Sequence, residues 1–349
     1  MMNMTETPIG SGRENRAQRV HIHTPYSGRF HTPGRRQIYT QTPRSRRLVA
    51  STRVPEDDTT QVGFQALLKK TWKLYSLSPL YKFQHKDAML KKYGRSLETA
   101  FVQEQSRRGD EGREKCYFSI YKGLKFQNNE PEAIHIQVFE TNNKGRTVLN
   151  ALLICADVDN KPADMPASFT YFPVIMVSGN SVRSTVLLHW LQSHFDCQSS
   201  PLMFSANDLR WMLACWSAQA VSAKAHPVLL QYSVPQSCED ISTISCRFDA
   251  GFCKELWERM HGLPVEREAM NEQEVNRFVE SLEAHLEYTM HIVFSKLRLS
   301  EVGTSLAYIS SQGKIKLFSS DGLIMVLHLI CDIANEKFQE VLGTQTNNS

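Results

Sequence analysis

His189, His194, Cys197 and Asp208 lie within twenty positions of one another, and those residue types can build a nucleophile, a base and an orienting acid. The pattern around them points elsewhere. His189 falls within a helical stripe of Val182, Val186, Leu187, Trp190 and Leu191, and Cys197 follows that helix. Both read as packing residues. A second cluster, Asp157, Asp159 and Asp164, has the oxygen donors a divalent cation needs, but the neighbouring Asn-Lys-Pro reads as a solvated turn. Cys238, Cys246, Cys253 and His261 offer zinc-ligand chemistry at spacings that fit no compact knuckle. No GxSxG elbow, Walker loop, GxGxxG turn or HExxH helix occurs. The chain reads as a non-enzyme without cofactor or metal.

The eight cysteines include no CxxC pair, and several sit in apolar runs, as reduced core thiols of a nuclear or cytosolic protein would. There is no apolar leader at the N-terminus and no run of 18 apolar residues. An apolar fraction of 41% over 349 residues is enough for a sizeable core.

Charge divides the chain. Residues 1–55 hold ten arginines, no lysine and two acids, Glu6 and Glu14, a net of +8. Because the whole chain is +4, the remainder carries −4. Residues 1–57 are rich in Arg, Thr, Pro, Gly and Ser, and are expected to be a disordered tail. Thr7, Thr24, Thr32 and Thr42 each precede proline and are candidate phosphorylation sites. Four phosphates at about −1.5 to −2 each would offset most of the tail's charge. Arg35, Arg36, Arg44, Arg46 and Arg47 are candidate DNA or chromatin contacts, and the last three also fit a nuclear-localisation signal.

The elements of the body, 58–345, alternate. Phe64, Leu67, Leu68, Trp72 and Tyr75 share helical spacing and predict a helix that ends before Pro79. A second helix is expected over Tyr93 to Gln105. Strands are expected at Lys115 to Tyr121, Ala133 to Phe139, Thr147 to Ala156 and Tyr171 to Ser178. Four amphipathic helices centre on Leu187, Met212, Leu256 and Phe278, with Ser205 and Asn271 as caps for the second and fourth. Further strands fall at Pro227 to Val234, Ile241 to Phe248 and His291 to Leu297. A hairpin joins Thr304 to Ile309 with Lys314 to Phe318 through Ser310 to Gly313. The pattern predicts an α+β fold, a mostly antiparallel sheet with helices packed on it.

The run from Leu323 to Ile333 is apolar on almost every side, so it needs cover from its own core or from a partner. Ile315, Leu317, Leu323, Val326, Leu327 and Ile330 are therefore the candidate partner-binding residues, in a region 289–342. Lys314 and Lys316 alternate with Ile315 and Leu317. They either blunt an edge strand or contact DNA, and a partner strand could extend that edge.

The segment Trp72-Lys-Leu-Tyr-Ser-Leu-Ser-Pro-Leu-Tyr-Lys-Phe83 resembles the hallmark of the centromere protein L family. His194-Phe-Asp-Cys197, Ser200-Pro-Leu202, Asn207-Asp-Leu-Arg-Trp-Met212 with Trp216, and Gly313-Lys-Ile-Lys-Leu317 follow in the family's order. The resemblance covers roughly 60–340. It implies a subunit of the inner kinetochore's constitutive centromere-associated network at the nuclear chromosome's centromere. It also implies a heterodimer with centromere protein N, contact with centromeric nucleosome or DNA and other inner-kinetochore subunits, and support for histone deposition and segregation. It places the partner surface in the C-terminal sheet and helix. The alternative is a stand-alone nucleic-acid-binding protein acting through its basic tail.

Overall fold

The structure, a computed structural model, describes residues 64–109, 114–126, 130–141, 145–155, 165–219, 226–237, 240–261 and 269–346, with the backbone alone at 18–23, 45–47, 269 and 340–346. In chain order the elements are β1 (Gln18–His23), β2 (Ser45–Arg47), β3 (Thr71–Leu77), β4 (Leu80–Tyr81), α1 (Asp87–Arg108), β5 (Glu114–Tyr121), β6 (Ala133–Glu140), β7 (Arg146–Ile154), β8 (Phe169–Thr170) and β9 (Val174–Gly179). There follow α2 (Ser181–Phe195), β10 (Ser199–Pro201), α3 (Ala206–Ser217), β11 (Val228–Ser233), β12 (Ile241–Phe248), α4 (Ala250–His261), β13 (Ala269–Asn271), α5 (Glu272–Met290), β14 (Arg298–Gly303), β15 (Ala307–Ser310), β16 (Lys314–Leu317) and α6 (Leu323–Thr346).

One sheet of 12 strands runs β1-β12-β11-β14-β15-β16-β3-β9-β7-β6-β5, with β10 also on β3. All its pairings are antiparallel except β1 with β12. The fold is α+β, as the pattern of the sequence predicts.

β3 holds the sheet together. Residues Thr71 to Lys73 pair with β16, and Tyr75 to Leu77 pair with β10 on the same side, while β9 lies along the other. Its side chains serve both faces. Trp72 and Leu74 enter the larger core, which α3, α4, α5 and α6 complete. Leu77 and the partly buried Tyr75 enter a second core, built with α1 and α2 against β5, β6, β7 and β9. Helices thus cover one face along the sheet, whereas α1 and α2 cover only the β3-to-β5 half of the other.

The expected helix from Phe64 to Tyr75 is therefore corrected. Helix persists there only at Phe64 and Gln65, and a turn follows: Leu67 N–H donates to Phe64 C=O and Leu68 N–H to Gln65 C=O. Lys69, at φ 59°, then turns the chain into β3. Trp72 Nε1–H donates to Leu67 C=O at 3.0 Å, tying turn to strand. Two pieces of different structure line up by chance on one helical stripe, because β3 moves its apolar residues from one face to the other at Tyr75 and so does not alternate cleanly. His291 to Leu297 is also corrected. His291, at φ 57°, closes α5 and a 3-10 turn spans Phe294–Lys296, so β14 begins only at Arg298.

The two helices whose caps the sequence predicts begin where those caps place them. Ser205 and Asp208 form a capping box at α3, and Asn271 with Glu274 forms one at α5.

Candidate interaction site

Of the residues that suggested catalysis, Cys197, His194 and Asp208 each have a structural partner of their own, and His189 lines an open cavity between two helices. Cys197 is buried, its thiol points at Leu191 C=O at 3.4 Å, and burial pushes its pKa up to about 11. A thiol so placed is a poor nucleophile. His194 stacks on Trp190 at 4.8 Å, and burial, then Lys92, holds it below the usual imidazole range. Asp208 caps α3 and accepts from Lys337 Nζ at 2.7 Å. Cys246 and Cys253 are buried and His261 lies against Glu274. Asp157, Asp159, Asp164 and Cys238 lie outside the described residues. Among the described residues no three His, Cys, Asp or Glu side chains are arranged to hold a metal ion, and no helix is long and apolar enough to cross a membrane.

The Asn207-to-Met212 motif has a packing account. Leu209, Trp211 and Met212 face the core, and the polar members tie α3 to α5. Asn207 donates to Glu272 at 3.4 Å, and Arg210 reaches Asn276 and Glu283 at 3.4 Å. Glu283 is 4% exposed and also accepts from Tyr232 Oη–H at 3.1 Å. Burial raises the Glu283 carboxyl, with Arg210 opposing the shift.

The six candidate partner residues occupy the interior. Ile315, Leu317, Leu323, Val326, Leu327 and Ile330 are all fully buried in the chain's own larger core. The apolar excess of the C-terminal run is met by deep burial of α6. The lysine-bearing strand is corrected as well, because β16 lies between β15 and β3 and offers no free edge.

That interior position gives Lys314 and Lys316 a neighbour that sequence reasoning missed. The register sets Lys314 opposite Lys73 and Lys316 opposite Thr71, with Tyr308 on Lys316's other side. Side chains directly opposite across antiparallel strands lie about 5 Å apart, and like charges there repel. Further along the same face the register places Arg298 beside Ser233 and Arg247 beside Leu229. Glu301 is the one acid at a register position of this face on β3, β16, β15, β14, β11 and β12, and the Tyr308 hydroxyl donates to it. Between the cations the face is polar, buried and satisfied. Ser245 Oγ–H donates to Gln231 Oε1 at 2.9 Å, and Ser300 Oγ–H to Gln231 C=O at 3.0 Å. Lys73 and Lys314 are exposed, and Lys316 lies 5.7 Å over the Phe318 ring. The signal for Lys73 was the alternation Thr-Trp-Lys-Leu, hidden by the helical spacing upstream.

Of the tail residues, Arg46 and Arg47 lie in β2, opposite Met270 and Ala269 of β13. Arg35, Arg36, Arg44, Thr7, Thr24, Thr32 and Thr42 lie outside the described residues.

A long sheet with helices packed on both faces, and a polar stretch of one face with five cations and one acid at its described register positions, defines an α+β scaffold. The chain belongs to the centromere protein L family, whose model matches residues 66–345. It is similar to the centromere protein L of Homo sapiens, at 30% identity over 323 residues covering 89% of this chain and 92% of the relative. The Rattus norvegicus protein of that name is 30% identical over 324 residues, covering 89% and 91%, and that of Bos taurus 29% identical over 323, with the same coverage.

Proposed function

We propose that this chain is a non-enzymatic structural subunit of the inner kinetochore, resident at the centromere in the nucleus. In this reading it forms a heterodimer with centromere protein N, joins other inner-kinetochore subunits on centromeric chromatin, and supports histone deposition and chromosome segregation. The observation that carries the reading is a family match from 66 to 345, which takes in β3 through the described part of α6. The buried C-terminal run makes that region part of the scaffold, so partner contact falls to exposed side chains around it. The test is co-expression of the full chain with centromere protein N. The two should co-elute as a 1:1 complex, and a stable monomer beside free centromere protein N at micromolar concentration would sink the reading.

The lysine face is the proposed chromatin contact of the body, alongside the tail arginines. Lys73 and Lys314 repel across the strand pair, a local cost of about 0.2–1 kcal/mol that a bound phosphate would relieve. Replacing Lys73, Lys314 and Lys316 together by glutamate should weaken duplex DNA binding. Each lost phosphate contact should flatten the slope of log K against log salt by about 0.9. An unchanged slope, with the tail deletion alone abolishing binding, favours the stand-alone tail reading instead.

A further inference from the structure

We propose that the furrow between α1 and α2 is a docking site for an acidic amphipathic helix of a partner protein. The inference is independent of the lysine face and of the heterodimer.

The two helices lie side by side on the second core, and between them runs an open cavity of about 520 Å³. Trp190 Nε1–H donates to Ser96 Oγ at 3.1 Å and closes its floor at one end. From there the lining continues up α1 to Arg107 and Arg108 and down α2 to Val182, so the helices run antiparallel. Ser96 to Arg107 is about 16 Å of helix at 1.5 Å per residue, which is three turns.

The lining has the character of an unfilled helix seat. Ala100, Thr185 and Val186 are small, so a third backbone can approach to the usual 8–10 Å between packed helix axes. Val182 is an apolar side chain left 38% exposed, while Ser184 and Leu187 of the same helix are buried. The rim sets the charge of the occupant. Arg107 and Arg108 are 79% and 51% exposed and share one acid, Glu104, at 3.8 and 2.7 Å. Glu104 is the one acid of the lining, and Lys92 adds a cation near His194 at the opposite end. Positive ends over a narrow apolar floor match a helix with leucines on one side and glutamates flanking them. Duplex DNA would meet the arginines but leave Val182 and Val186 without contacts.

The test is fluorescence anisotropy of the full chain with a labelled peptide of about 14 residues, enough for the three turns, bearing leucines on one stripe and glutamates on both flanks. Saturable micromolar binding is expected. Arg107→Glu with Arg108→Glu should weaken it about tenfold and favour the lysine-flanked version of the same peptide. Val182→Glu should weaken both peptides. These positions are exposed, so unchanged thermal melts should accompany the losses. Absence of saturable binding, or wild-type affinity in both variants, would overturn the proposal. So would a chain that self-associates and becomes monomeric with Val182→Glu, or arginine variants that lose duplex DNA alone.

Discussion

Gly313→Ala is expected to destabilise the protein by about 3–5 kcal/mol, the range reached when a new atom meets fixed backbone. Two costs combine. Gly313 sits at φ +70°, where an L-residue loses about 1–2 kcal/mol to its own carbonyl. A Cβ there would also stand 2.2 Å from the Leu202 carbonyl oxygen, well inside contact distance, with the Leu74 carbonyl oxygen at 3.4 Å. Neither carbonyl can withdraw cheaply. Leu202 N–H donates to Leu74 C=O at 3.0 Å, Leu74 N–H to Gly313 C=O at 2.8 Å, and Phe204 N–H to Ser311 C=O at 2.9 Å. These bonds join β3, the β10 segment and the β15–β16 turn where they meet, so a shift to admit the methyl group breaks the sheet at its centre. Gly109→Ala is the control. Gly109 has nearly the same φ, +71°, and nothing within 4 Å of the added atom, so it should show the backbone cost alone. Chemical denaturation of both variants separates strain from clash. Equal losses would show that the close approach at Gly313 does not matter.

Gly313 also shows how a motif was legible before its reason was. Gly-Lys-Ile-Lys-Leu reads as a turn followed by a strand with one buried face, and that is what forms. What could not be read is which strand lies beside it. β3 and β16 are separated by more than 230 positions, and no local pattern records that Trp72 will face Ile315. Placing Lys314 on a free edge followed from treating the hairpin by itself. The error at β3 has the same root. β3 alternates only from Thr71 to Leu74, and at Tyr75 and Leu77 its apolar residues move to the other parity, so the run as a whole sustains no period of two. The helices of the central region were legible because each carries a local signal, a stripe of large apolar residues, with a Ser or Asn cap at the start of α2, α3 and α5. Where evidence is local the sequence sufficed, and where it lies in pairing it did not. The lysine face belongs to the second kind, since Lys73 gains its meaning only from the register with Lys314. The furrow belongs there too, because α1 and α2 are some seventy residues apart and only the sheet brings Ser96 to Trp190.

Arg210→Ala is the second large expected effect, and its size should depend on pH. Arg210 is the cation facing Glu283, which is almost wholly buried among α3, α5 and β11. Its bonds to the carboxylate are long, 3.4 and 3.5 Å, so it acts mainly as a countercharge, while Tyr232 supplies the shorter bond. Removing it leaves a buried carboxylate with a neutral donor alone, a loss of about 3 kcal/mol at neutral pH for a broken buried pair. The folded-state pKa of Glu283 is already raised by burial, and without Arg210 it rises further. A carboxyl whose folded pKa exceeds its unfolded value contributes stability that is complete below the unfolded pKa and is lost as pH climbs through the folded one. The deficit of Arg210→Ala relative to wild type should therefore be largest above neutrality and shrink on acidification towards the unfolded carboxyl range. Glu283→Gln in the Arg210→Ala background removes the titrating group, and should both recover stability at neutral pH and flatten the pH dependence of the difference. Urea unfolding of the three proteins from neutral to mildly acidic pH measures this. A deficit independent of pH would mean that Arg210 contributes packing rather than charge, and that the family motif joining α3 to α5 works through its apolar members.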